Sequence, residues 1–237
     1  MDKLKTRKRA LSLYMYLSGL FITSLVVSNL IFQKFFSFKP FGEIEIFGAP
    51  IFEASVGLLP YPITFLITDL ISEIYGKKKA NQVVVTGIFA SFFSLLIVYV
   101  SDVSSATTWS PLSNELFSRV FGNTVIAVFS SMMAYLLAQF VDIQIYHFWK
   151  NLTKGKHLWL RNNFSTFSSQ FIDTLSVISL LCFFGEIPWD RFTGLVISGF
   201  LFKAMIAALD TPLLYLGVYL IRKQFGLSVG EEIQLNT

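Results

Sequence analysis

Seven carboxylates sit in or beside apolar runs long enough to cross a bilayer, and no other feature constrains this chain as much. Asp69, Glu73, Asp142, Asp173 and Asp210 lie inside such runs, Asp102 and Asp190 lie near their ends, and Lys203 interrupts a further apolar stretch. A charge at membrane depth is costly, so it faces a bundle interior or a water-filled cavity and marks a pathway or a binding site. The chain therefore reads as an all-α integral membrane protein built around a polar interior.

Composition agrees. Hydrophobic residues make up 54% of the 237 and charged residues 14%, against roughly 25% charged in an ordinary soluble domain. The 26 phenylalanines suit lipid-facing and bundle packing better than a small soluble core. A single cysteine, Cys182, excludes an internal disulfide framework and argues against a thiolate metal cluster. The two histidines, His147 and His157, are too few for a histidine metal site, so neither metal nor cofactor is expected. The first apolar run is full-length and lacks a small-residue cleavage site, so it reads as a span rather than a cleaved leader.

Six spans are expected at about 11–32, 56–75, 81–101, 119–148, 164–184 and 193–221, each long enough for a hydrocarbon core of about 30 Å. The loops on one side hold 14 Lys and Arg, including Lys77, Lys78, Lys79, Lys150 and Arg222, and the other side holds 4. By the positive-inside rule both termini are cytoplasmic. No linker or low-complexity stretch interrupts the chain, so residues 1–237 read as one six-helix domain.

The first outer loop, Gln33 to Ser55, contains Glu43-Ile44-Glu45-Ile46-Phe47, then Gly48-Ala49-Pro50 as a turn before Ile51-Phe52. Alternation followed by a turn fits a short β-hairpin, serving as a lid or as a connector.

Pro60 and Pro62 flank Tyr61 at the start of the second span. Either they break a helix inside the membrane, as at many transporter sites, or the helix begins there with proline in its favoured first turn. Beyond them, Asp69 and Glu73 are four apart and share a helix face. Two carboxylates in a low-dielectric site repel, so one holds a proton or finds a cation. For Glu73 the alternative to a site role is an interfacial position beside Lys77.

The fourth and fifth spans carry a repeated tetrad, Gln139-Phe140-Val141-Asp142 and Gln170-Phe171-Ile172-Asp173. Each amide and carboxylate are three apart and share a face. The two spans run in opposite directions from a common loop, and Asp142 and Asp173 lie roughly 10 and 14 Å from it at 1.5 Å per residue. Their polar faces can thus meet at comparable depth. Asn163, Ser165, Thr166, Ser168 and Ser169 precede the second tetrad, and Thr166 extends the face of Gln170 and Asp173. Such groups either join helices or line a passage. In the sixth span Lys203 and Asp210 are seven apart, again on one face, and Asp210-Thr211-Pro212 is expected to break helix regularity. The partner of Lys203 is expected among the buried carboxylates.

These residues resemble the queuosine-precursor transporter family, a vitamin-uptake-like membrane family. The resemblance lies in Thr68-Asp69…Glu73…Tyr75-Gly76, Gln139…Asp142…Tyr146-His147, Arg161-Asn162…Ser165-Thr166…Gln170…Asp173-Thr174 and Lys203…Asp210-Thr211-Pro212…Tyr215. It covers about 60–220, and the N-terminal tail and outer loop carry no comparable signature. It implies a non-enzymatic bacterial inner-membrane importer of a 7-deazaguanine (preQ0, preQ1 or queuine) for tRNA modification. It implies a substrate site among Asp69, Glu73, Gln139, Asp142, Asn163, Thr166, Gln170, Asp173, Lys203 and Asp210. The partners expected are the small-molecule base and the lipid bilayer, with no direct nucleic-acid contact and a homodimer compatible with the chain.

The chemistry of such a base agrees with those residue types. Its N1–H and 2-amino group form a two-donor edge for a carboxylate, its O6 accepts from an amide, and its faces stack on aromatic side chains such as Tyr146. Two rivals remain: a binding component that needs a separate energising partner, and an integral-membrane lipid or prenyl enzyme with metal-binding carboxylates. The chain has no GxxxxGK[ST] phosphate loop, so it does not power transport with ATP by that route.

Overall fold

A computed structural model describes residues 3–31, 34–37, 45–46, 49–50, 53–122, 125–154, 156–185 and 188–235. Its long helices are α1 (Lys3–Ile31), α2 (Tyr61–Ile74), α3 (Lys77–Val103), α5 (Val125–Leu152), α6 (Leu158–Phe183) and α7 (Phe192–Phe225). A one-turn helix, α4 (Asn114–Phe117), lies between α3 and α5 and is capped by the Ser113 hydroxyl, which accepts from the Leu116 amide. Among the described residues, five segments are long and apolar enough to cross a membrane: Thr6–Ile31, Val56–Ile74, Lys77–Val103, Leu158–Phe183 and Trp189–Phe225. Helix α5 has 28 residues and carries the buried Gln139 and Asp142.

The expected outer hairpin falls largely on residues outside those described. Short antiparallel pairings do join β1 (Phe35–Ser37) to β4 (Glu53–Ser55), and β2 (Glu45–Ile46) to β3 (Ala49–Pro50).

Helix α2 is the axis of the bundle. It packs against α1, α3, α5 and α7, and from Ile67 to Ile74 every residue is buried. The proline pair starts this helix rather than breaking it. Pro60 occupies the cap position and Pro62 the first turn, where a missing N–H costs nothing. Around α2, the interface between α5 and α6 is the most extensive, followed by that between α6 and α7. The outward faces are apolar: Phe89, Phe93 and Leu96 on α3 and Leu209, Leu213 and Leu216 on α7 are exposed.

Small residues allow the tightest crossings. A Cβ at Gly87 would lie 2.6 Å from the Phe21 ring, so glycine lets α1 press on α3. Gly76 turns α2 into α3 with φ of 82°, a left-handed conformation that favours glycine.

The expected break at Asp210-Thr211-Pro212 does not occur. Helix α7 runs continuously through Pro212. Proline removes a single backbone bond there, and flanking turns of a long packed helix carry it through. After Gly226 caps α7 in a left-handed conformation, the following segment folds back, and the Ile233 amide donates to the Ile74 carbonyl at 2.7 Å. Arg7 donates to the Leu235 carbonyl at 3.1 Å, so the N- and C-terminal segments meet at one end of the bundle.

Candidate functional site

Helices α2, α6 and α7 line a narrow cleft of about 30 Å³. Helical spacing decides what reaches it. On α2, Tyr61, Phe65 and Asp69 follow at four-residue steps; on α6, Thr166 and Gln170 do the same; on α7, Lys203, Ala207, Asp210 and Leu214 lie along one stripe.

The aromatic end of the cleft is tightly built. The Tyr61 ring stands 5.6 Å from Phe65 and 5.2 Å from Tyr135, and the Lys203 ammonium lies 5.3 Å from the Tyr61 centroid. Lys203 also forms an ion pair with Asp173 at 2.5 Å, both side chains largely buried. Its expected carboxylate partner is thus identified as Asp173, and the Tyr61 hydroxyl lies within hydrogen-bonding reach of the same group.

The polar wall is only partly satisfied. The Thr166 hydroxyl and the Gln170 Oε1 are buried without a hydrogen-bond partner, and each residue is 4% exposed. Unpaired buried polar groups cost free energy, so a native site that keeps them invites a ligand or water to complete them. Asp69, also in the wall, lies within hydrogen-bonding reach of Asp142 behind it.

Asp142 itself does not reach the cleft. It is fully buried, accepts from the Ser169 hydroxyl at 3.0 Å and lies near Ser165. The polar faces of α5 and α6 therefore meet at matching depth, but through Asp142 and Ser169 rather than through the two tetrads. Gln139 is also fully buried behind the cleft, donating to the Tyr135 hydroxyl at 2.7 Å. Asn163 does not line the cleft either: its amide donates to the Trp159 carbonyl, and its Oδ1 accepts from Thr211. The side chains of Arg161 and Asn162 are outside those described.

Glu73 occupies a different setting, one turn from Asp69 towards the terminus-bearing end. It is fully buried, receives Arg222 at 2.5 Å and the Tyr146 hydroxyl at 3.1 Å, and has Lys150 at 3.9 Å. Lys150 further donates to the Ser72 and Glu73 carbonyls and pairs with Glu232 at 2.8 Å. It thereby satisfies carbonyls that the end of α2 leaves open and complements the negative end of its dipole. Glu73 is thus not an interfacial residue beside Lys77, which bonds Gln144 instead. Tyr146 is not a stacking surface of the cleft. Arg222 and Lys150, expected as loop cations, are the partners that sequence reasoning missed. Both sit on the last turns of helices that outlast their apolar runs, so charge alone placed them outside.

Beyond this ion cluster, Glu73, His157, Tyr215, Tyr219 and Arg222 help to line a second, wider recess of about 630 Å³. Among the described residues no three His, Cys, Asp or Glu side chains gather as metal ligands.

A family described as "Putative vitamin uptake transporter" matches residues 55–217, a stretch that contains every candidate site residue. The chain is also 28% identical over 173 residues to the "Probable queuosine precursor transporter" of Bacillus subtilis (strain 168), with 73% of each chain covered. Both descriptions are of transporters rather than enzymes. No solved structure matches the chain.

Proposed function

Because the chain belongs to the vitamin uptake transporter family, we propose that it imports a 7-deazaguanine precursor of queuosine for tRNA modification. It does so as a multi-pass protein of a bacterial inner membrane with both termini cytoplasmic. The five apolar spans together with α5 make six crossings in this reading. The observation that carries it is the cleft whose wall leaves Thr166 Oγ1 and Gln170 Oε1 buried and unpartnered beside Asp69. A 7-deazaguanine complements that wall. Asp69 and Gln170 Oε1 accept from N1–H and the 2-amino group, the Thr166 hydroxyl and Gln170 amide donate to O6, and Phe65 offers an aromatic face. A site built on buried hydrogen bonds rejects analogues that lack them by large factors.

Asp142, Asp173 and Gln139 support this wall from behind, and Glu73 and Asn163 act outside it. Transport proceeds by alternating access, in which two conformations expose the cleft to opposite sides. The unit is the single chain, alone or as a homodimer.

The test is genetic. The chain is expressed in a bacterium that lacks queuosine synthesis and its own transporter, alongside a queuine-accepting tRNA transglycosylase. The cells are fed preQ0, preQ1 or queuine at low concentration, and queuosine is quantified in tRNA. Recovery with a single added precursor identifies the cargo and shows that one chain suffices. No recovery, despite verified membrane expression and working downstream enzymes, overturns import by this chain alone and turns attention to a separate energising partner.

A further inference from the structure

We propose that Asp210 is a specificity-determining residue that selects a ligand with a protonated amine on its 7-substituent over one with a neutral substituent. The inference rests on the 7-deazaguanine reading above and adds the charge class of the cargo.

The argument is one of charge matching within the cleft. Lys203 is committed to Asp173 at 2.5 Å, so that pair brings no net charge. Asp69 lies within reach of Asp142, and two carboxyl groups that close need a proton or a bound donor between them. Asp210 differs from both. It lines the cleft half-buried and, among the described residues, forms no hydrogen bond or ion pair. Every other charged side chain in that wall has a partner. The cleft therefore presents one carboxylate whose complement must come from the ligand or from water.

Position supports the assignment. Asp210 lies seven residues from Lys203 on the same stripe of α7, about 10 Å along the helix axis. It is thus set well away from the Lys203–Tyr61 end of the cleft. A flat base seated against Gln170 and Thr166 has its hydrogen-bonding edge and its 7-substituent on different sides. The unpartnered amide and hydroxyl serve the edge, and Asp210 is left for the substituent. Exclusion of water strengthens an ammonium–carboxylate contact, while a nitrile offers that carboxylate no donor.

Equilibrium binding to the purified full-length protein in lipid nanodiscs decides the matter, with preQ1 (aminomethyl) and preQ0 (nitrile) as probes of the same ring. The wild-type protein is expected to bind preQ1 at least tenfold more tightly. Asp210→Asn should weaken preQ1 at least tenfold and leave preQ0 within about twofold, and Asp210→Glu, which keeps the charge, should retain the preference. Equal loss for both probes in Asp210→Asn, or no preference in the wild type, overturns the role of Asp210 while leaving the base-binding cleft in place. Binding of neither ring to the wild-type protein overturns the 7-deazaguanine reading, and this inference with it.

Discussion

Asp69 and Glu73 stand four residues apart on the same face of α2, yet their surroundings are opposite in kind. Glu73 is fully buried among a guanidinium, a phenol and an ammonium, all supplied by α5 and α7. Asp69 opens onto a cleft whose neighbouring hydroxyl and amide oxygen have no partner. The same spacing of two carboxylates thus yields an ion-paired cluster in one place and a cleft wall with unpartnered oxygens one turn away. The difference teaches that burial of a carboxylate says little about function.

The largest expected effect lies on the ion-paired side. Arg222→Met leaves Glu73 buried with its principal cation gone, and breaking such a buried pair costs about 3–5 kcal/mol. Sharply reduced melting temperature in detergent and poor accumulation in the membrane are expected. The double variant Glu73→Gln with Arg222→Met should recover more than half of the loss, because neither unpaired charge remains. Unchanged melting of the single variant would break the comparison at its stronger end.

Next comes the ion pair at the border of the two regimes. Asp173→Asn removes the partner of Lys203, whose ammonium keeps only the Tyr61 ring. The cost is about 2–3 kcal/mol, below a fully enclosed pair, because the cleft admits water. Uptake should be abolished while the protein still inserts, read by uptake of labelled precursor against surface-independent quantification of membrane protein. Retained uptake would remove Asp173 from the supporting wall.

The unsatisfied wall predicts effects of opposite sign on stability and on transport. Thr166→Val and Gln170→Leu each replace an unpartnered buried polar group by a group of similar shape. Such replacements are neutral or stabilising, by up to about 1 kcal/mol. Uptake should nevertheless fall about 10- to 100-fold, the worth of one or two ligand hydrogen bonds at roughly 1.4 kcal/mol per tenfold. A parallel fall in melting temperature and uptake would place these residues with Glu73, as structural groups.

How much of this was legible in the sequence follows the physics of each feature. Long apolar helices were, at five of the six expected spans among the described residues, because a long uninterrupted apolar run is itself a sequence feature. The meeting of α5 and α6 at the depth of Asp142 was also legible, since helical rise converts sequence distance into depth. The partners were not. Asp142 meets Ser169 and not the second tetrad, because contact depends on rotation about two helix axes, which four-residue strings do not fix. Arg222 and Lys150 were counted with the loops because hydropathy ends before the helices do, at Phe225 and Leu152. Pro212 suggested a break that continuous packing of α7 overrides. The unpartnered oxygens of Thr166 and Gln170 have no signature in sequence at all, since satisfaction is a property of three dimensions.

The smallest expected effect probes how the two regimes are mechanically joined. Leu70 sits between Asp69 and Glu73 in sequence, and its Cδ2 would lie 3.0 Å from a Cβ added at Gly217 of α7. Gly217→Ala must therefore push α2 and α7 apart by a few tenths of an ångström or turn the Leu70 side chain. Overpacking of this size costs about 1 kcal/mol. The strain should appear on the looser side, because the ion cluster pins α2 at Glu73 while the cleft wall beside Asp69 has unfilled space to move into. A few-fold weaker apparent affinity for precursor with a nearly unchanged melting temperature is the expected pair of results. If the melting temperature falls while affinity holds, the cleft is the rigid region and the Glu73 cluster the compliant one, which reverses the comparison.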